Sequence, residues 1–177
     1  ATIVLAFWFH QAGAPELVSL NLALAGALAG FSILNWRPAR VFLGDIGSLT
    51  LGIYFAVMGI IGWTVYRLPV EAFVLLYGVM LCDTSVTLAV RIFKGERWWE
   101  AHSSHFYQRL VGLGYNHAQV TSLTLVITLC LSIFGSFVIH NVGPGWLWMT
   151  LGLVTLAICA LAVLEKERAY LNKNEER

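Results

Sequence analysis

Charge is what this sequence has least of. Asp, Glu, Lys and Arg together make up 12% of its 177 residues, against 58% hydrophobic. That balance excludes a water-soluble globular domain, in which about a quarter of residues are charged. Cysteine is scarce as well. Cys82, Cys130 and Cys159 all fall inside apolar runs, where the thiol behaves as a small hydrophobe, so neither a disulfide framework nor a thiolate metal site is indicated. Low-complexity tracts and a convincing internal repeat are missing too. The opening residues, Ala1 to Phe9, are apolar but have no Met, no positive leader and no crossing length. They read as the cut end of a helix, with neither a signal peptide nor a complete N-terminus in view.

What remains is a series of apolar runs near the length that crosses a bilayer, about 20 residues. They lie at Glu16–Leu34, Gly47–Tyr66, Val70–Val90, Gln119–Ile139 and Gly145–Leu164. The predicted fold is therefore all-α, a polytopic integral membrane helix bundle of five complete transmembrane helices plus a truncated first one. After Glu165 the polar tail is expected to extend the last helix briefly and then fray.

Lysine and arginine set the orientation. If the five spans alternate, Arg37, Arg40, Arg91, Lys94, Arg97, Arg109, Lys166, Arg168, Lys173 and Arg177 share one side and only Arg67 lies on the other. Ten against one is a strong positive-inside signal, so loops 35–46 and 91–118 and the tail 165–177 are assigned to the cytoplasm. Trp8, Trp63, Tyr66, Trp146 and Trp148 fall near the opposite helix ends, where an outer aromatic belt would sit. The net charge of +1 conceals this sidedness. A basic cytoplasmic face attracts anionic headgroups and phosphorylated substrates, although topology alone explains the same charges.

Three places carry candidate chemistry. The first is NWRPARVFLGDIGSLTL, Asn35 to Leu51, a charged turn ending in Gly-Asp-Ile-Gly-Ser as an apolar helix begins. N–H groups at a helix start point toward an anion, Arg37 and Arg40 add positive charge, and Asp45 could hold a divalent cation between them. Asp and Ser are also ordinary helix caps, and membrane-edge arginines ordinary topology signals.

The second is the only long loop, RIFKGERWWEAHSSHFYQRL, Arg91 to Leu110. On a helical turn His102, His105 and Arg109 would share a face. Two imidazoles and a guanidinium suit a diphosphate, since all can donate to phosphate oxygens. A zinc pair lacks a completing ligand, and a solvated basic loop against lipid headgroups is the plain alternative. The third is Asp83, near the cytoplasmic end of its span. A carboxylate there costs a few kcal/mol unless it meets a partner or a watery cavity, so it serves either a site or the helix end.

Residues Asn35–Gly52 and Asp83–Leu113 together resemble the polyprenyl-phosphate N-acetylhexosamine-1-phosphate transferase family (glycosyltransferase family 4). In that family an Asn-x-x-Pro-Ala turn leads to a Gly-Asp-x-Gly-Ser helix start, and a second cytoplasmic signature follows. ERWWEAHSSHFYQRL looks most like the branch that initiates O-antigen and related glycans on undecaprenyl phosphate. Many members have His-Leu-His-His-Arg-Leu where this chain has His105 to Leu110, so Tyr107 and Gln108 stand in place of two histidines. Members also carry an earlier Asp-Asp motif, and no such pair occurs here. The resemblance thus implies the C-terminal half of a longer enzyme, inactive in isolation.

What the resemblance implies is transfer of an N-acetylhexosamine-1-phosphate from a UDP-sugar to undecaprenyl phosphate, with release of UMP, at the bacterial inner membrane. Asp45, His102 and His105 would be catalytic. Asn35, Arg37, Arg40, Arg109 and Asp83 would bind substrate, with Asp45 and Asn35 holding Mg²⁺, or Mn²⁺ in its place. Partners would be UDP-N-acetylhexosamine, undecaprenyl phosphate, membrane lipids and the missing N-terminal half. A homodimer stays open, and no nucleic acid is expected. The competing classes are an incomplete fragment or scaffold and, less favoured, an anionic-lipid transporter, for which mid-depth ionisable groups are lacking.

Overall fold

The computed structural model describes residues 1–35, 41, 43–93, 95 and 105–175. Among them every regular element is a helix: α1 (Thr2–Gln11), α2 (Pro15–Asn35), α3 (Gly44–Thr64), α4 (Val70–Leu76), α5 (Gly78–Phe93), α6 (Phe106–Gly112), α7 (His117–Ile139) and α8 (Gly145–Glu175). The all-α membrane architecture read from the sequence is the one observed. The chain forms two compact units, 1–73 and 74–177.

In the first unit, α1 is only ten residues long. It ends in a turn at Gly13, and Ala14 N–H donates to Phe9 O over 2.9 Å, which leads directly into α2. Leu5, Trp8 and Phe9 are fully buried. Trp8 meets the ring of Phe73 edge-on at 5.7 Å, and Phe9 meets Tyr66 at 5.6 Å. This aromatic cluster corrects one expectation. Trp8 is a core residue and not part of an outer belt, whereas Trp63 and Trp146 are 55% and 65% exposed.

Helices α2 and α3 each have 21 residues. At 1.5 Å per residue they reach about 31 Å, the thickness of the hydrocarbon core. Their apolar side chains face outward, with Ile33 78% and Ile46 84% exposed. An outward apolar surface of this kind suits lipid and not water. The buried residue of α2 is instead polar. Asn21 is 0% exposed, donates from Nδ2 to Leu17 O at 2.8 Å and lies 3.8 Å from the Met58 sulfur of α3.

The second unit begins within α4. Between α4 and α5 the helix axis turns by 74° at Tyr77, so the region predicted as one span over 70–90 is two helices, with the geometry of a broken span or a re-entrant loop. Gly78 makes the packing after the break possible. A Cβ there would stand 3.2 Å from methyls of both Leu131 on α7 and Leu156 on α8. Helix α7 starts with a reciprocal cap, Gln119 N–H to Asn116 Oδ1 and Asn116 N–H to Gln119 Oε1, each 2.9 Å. Along it, the hydroxyls of Thr124, Thr128, Ser132 and Ser136 each donate to the carbonyl four residues back, at 2.7 to 3.0 Å. Self-contained bonding is what a bilayer demands of hydroxyl groups. At the far end Trp148 packs on Phe137 and Phe134, with centroids at 4.8 and 5.9 Å.

Among the described residues, three of the expected spans are single helices long and apolar enough to cross, and the bent α4–α5 pair passes the same test only when its two helices are taken together as one span. The fifth differs from expectation. The apolar part of α8 among the described residues, Gly145–Ala160, falls short of crossing length, while the helix itself continues to Glu175 instead of fraying soon after Glu165. Residues 165–175 are mostly Glu, Lys and Arg, with single Ala and Leu residues among them, good helix formers that carry the helix on without an apolar run.

Candidate functional site

The first candidate region lies where α2 ends and α3 begins. Asn35 is the last residue of α2 and is exposed. Helix α3 opens at Gly44, whose φ of +66° puts it in the left-handed region that a side chain disfavours. Glycine at this point of the Gly-Asp-x-Gly-Ser motif therefore has a backbone reason. Asp45 follows in the first turn and is exposed. The N-cap position is held by Leu43, with no side-chain cap bond, and the Ser48 hydroxyl donates to the Asp45 carbonyl at 3.0 Å. Neither Asp45 nor Ser48 caps the helix, so the capping alternative for this aspartate loses its support. Arg37 and Arg40 lie outside the described residues.

The second region belongs to the other unit and centres on Asp83. Its Oδ1 accepts the backbone N–H of Phe106 at 2.9 Å and the Thr87 hydroxyl at 3.3 Å, and lies 3.3 Å from Nδ1 of His105. The Asp83 side chain is 14% exposed and that of His105 26%. A carboxylate of α5 thus receives the first free N–H of α6, where the helix dipole also favours negative charge. His105 is the N-cap residue of α6, and Gln108 returns its Oε1 to the His105 N–H at 3.1 Å. In sequence terms this is a capping box with histidine at its head.

The geometry gives two residues a structural part. Asp83, expected to bind substrate, spends an oxygen on α6 and His105. Gln108, noticed only as a replacement for histidine, closes the helix start. The signal for Gln108 was present, a glutamine three residues after a cap; no spacing rule could have paired Asp83 with a residue 22 positions on. The ring of Tyr107 stacks on His105 at 5.8 Å, and the Arg109 guanidinium sits over Phe106 at 5.8 Å. His102 lies outside the described residues, so the expected three-residue face is seen only in its His105 and Arg109 members.

Beside α6, a cavity of about 400 Å³ runs between α5, α7 and α8, with Cys82, Leu123, Ile127 and Leu156 along its wall and Asp83 and Tyr107 at the α6 end. That is the size of a small-ligand site, with an apolar wall. Among the described residues no group of three or more His, Cys, Asp or Glu could hold a metal. Magnesium asks for less: one or two hard oxygen donors, with substrate phosphates completing the shell. Asp45 and Asn35 supply oxygen donors of that kind.

A polytopic helical membrane protein with an aspartate at an uncapped helix start and a carboxylate-anchored histidine loop is the class that emerges. Comparison with known proteins narrows it. The profile of glycosyl transferase family 4 matches residues 1–63. The chain is 24% identical over 165 residues to the probable undecaprenyl-phosphate N-acetylglucosaminyl 1-phosphate transferase of Bacillus subtilis, covering 91% of this chain and 44% of that protein. It is 36% identical over 124 residues to the phospho-N-acetylmuramoyl-pentapeptide-transferase of Clostridium beijerinckii, 68% of this chain and 36% of that one. The enzyme of the same name from Moorella thermoacetica is 41% identical over 103 residues, 56% and 31%. No solved structure matches. These likenesses support membership of the glycosyl transferase family 4, and the chain spans less than half the length of the relatives it matches.

Proposed function

We propose that this chain is the C-terminal part of one membrane transferase domain that moves an N-acetylhexosamine-1-phosphate from a UDP-sugar to undecaprenyl phosphate. The reaction takes place at the cytoplasmic face of a bacterial inner membrane. The observation that carries this reading is the exposed, non-capping Asp45 at the start of α3, within the segment that the family profile matches.

The chemistry is phosphoryl transfer. An oxygen of the lipid phosphate attacks the β-phosphorus of the UDP-sugar, the bond from that phosphorus to the bridging oxygen breaks, and UMP leaves with the electron pair. Such a reaction asks the protein mainly to hold two polyanions in line and to neutralise their charge. Mg²⁺ bound by Asp45 and Asn35 would supply charge neutralisation at the diphosphate. His102, His105 and Arg109 grip phosphate oxygens by charge-assisted hydrogen bonds, and Arg37 and Arg40 meet the lipid phosphate. The loop AHSSHFYQRL points to O-antigen or a related surface glycan as the product's destination. The reported relatives are named for N-acetylglucosaminyl and phospho-N-acetylmuramoyl-pentapeptide transfer, so sugar and pathway are the parts a direct assay has to decide. Radiolabelled UDP-sugars offered to the full-length protein with undecaprenyl phosphate should yield lipid-diphosphate-sugar and UMP only when Mg²⁺ or Mn²⁺ is added. Metal-independent transfer, or none with any UDP-N-acetylhexosamine, would overturn the reading.

A further inference from the structure

The two glycines of the Gly-Asp-x-Gly-Ser segment do different things. Gly44 turns the chain, with a φ of +66° directly after Leu43 at φ −66° and ψ −32°. Gly47 lies inside α3, where no turn needs it. What it provides is room. A Cβ on Gly47 would stand 2.6 Å from Cγ and 2.9 Å from Cδ1 of Leu43, well inside the contact distance of two carbons. The Leu43 side chain therefore lies directly on the backbone of the first turn of α3. Its Cγ is the branch point, so clearing a methyl group from position 47 takes a rotation about χ1 that lifts the whole side chain away. Gly47 is two residues beyond Asp45, about 200° further round the helix. Leu43 thus seats on the side of α3 away from the aspartate.

From this we infer that Leu43 and Gly47 are positioning residues: the bare backbone at Gly47 receives the Leu43 side chain, and that contact sets the corner from which Asp45 is presented to the metal. The inference rests on the Mg²⁺ role proposed for Asp45. Leu43 precedes the turn at Gly44 and Gly47 follows it, so the corner cannot open without unseating the leucine. No side-chain hydrogen bond caps α3, and an apolar contact across the start of a helix is a known means of fixing the angle at which the chain enters it. The glycine has a cost that the contact explains. Alanine is the better helix former at an interior position, and it is the one small change that the Leu43 side chain forbids.

The first test reads metal binding and not turnover. Mn²⁺ titrated into the full-length enzyme in the presence of UMP, followed by electron paramagnetic resonance, gives the affinity of the site. Gly47→Ala should weaken it by about tenfold to a hundredfold, the scale on which a ligand displaced by an ångström acts, while membrane insertion stays as it was. Leu43→Ala, which leaves the glycine bare with nothing to seat on it, should weaken it too, and carries the test by itself if Gly47→Ala inserts poorly. In the double variant the loss should equal that of Leu43→Ala alone, because the added methyl then meets no branch. The Mg²⁺ concentration for half-maximal transfer should rise in the same order, which a loss of fold stability alone would not produce. Wild-type Mn²⁺ affinity in Leu43→Ala or in Gly47→Ala, or losses that multiply in the double variant, would overturn the proposal. Asp45→Asn measured alongside separates the two readings. A loss there with none in Gly47→Ala removes the positioning role alone, whereas full affinity in Asp45→Asn sinks the metal role of Asp45 and, with it, what Leu43 and Gly47 position.

Discussion

The N–H of Phe106 donates to Asp83 Oδ1 over 2.9 Å, so the first turn of α6 is closed by a side chain of α5, 23 residues earlier. A seven-residue helix has too few internal bonds to stand alone in water. Asp83→Ala should therefore loosen the start of α6, at a cost of about 1 to 2 kcal/mol, the usual worth of a lost cap. Hydrogen exchange at Phe106 to Leu110 should speed up, with exchange in α7 unchanged. Equal protection in the variant would show that Gln108 alone holds the helix.

Asp45→Asn in the full-length enzyme should abolish transfer while membrane insertion and helix content stay as they were. No cap bond of α3 depends on this side chain, so its replacement by a neutral amide removes metal-binding charge and little else. Turnover within about twofold of wild type, judged against the tenfold or more expected on losing a charged contact, would retire the metal role.

Asn21→Leu should leave the stability of this chain unchanged or raise it by about 1 kcal/mol, because a buried group without its hydrogen bond carries an uncompensated desolvation cost. Asn21 Oδ1 is such an atom among the described residues. Thermal unfolding in detergent reads the effect directly. A clear drop in midpoint would show that the amide is satisfied in solution, for instance by a trapped water.

Single cysteines at Ser103 and Asn174, in a background lacking Cys82, Cys130 and Cys159, should react in intact cells only with membrane-permeant reagents. Labelling of Ser103→Cys by an impermeant reagent would reverse the orientation drawn from the charge asymmetry.

The 177-residue chain on its own should insert but not catalyse, and co-expression with the remainder of its enzyme should restore turnover, since spanning helices can associate by packing. Groups that act as one catalytic unit fail together, so background activity is expected and not half activity. Robust Mg²⁺-dependent product from the purified chain alone would refute this.

Hydrophobic runs made the membrane helices legible, because a span needs only length and apolarity to announce itself. The break at Tyr77 was not legible: no proline marks it, and the close approach of Leu131 and Leu156 to Gly78 beside it is a contact that no local pattern encodes. Trp8 misled for a related reason. An amphipathic ring suits an interface as well as a core, and only the tertiary partner Phe73 decides between them. Asp83 was visible as an anomaly and His105 as a candidate for phosphate binding, yet their pairing needed three dimensions. Asn21 drew no notice, since an uncharged amide barely alters a hydropathy run.

The hydroxyls of α7 bear on how the protein is made. Each of Thr124, Thr128, Ser132 and Ser136 is served by its own helix, so α7 can leave the insertion machinery and wait in lipid with no neighbour to complete it. Asn21 gives α2 no such independence. One end of its amide is bonded within the helix, but the oxygen at the other end has no hydrogen-bond partner among the described residues even with α3 packed against it. The hydroxyls of α7 thus add no unmet polar group to the bilayer, whereas α2 carries one in its amide oxygen.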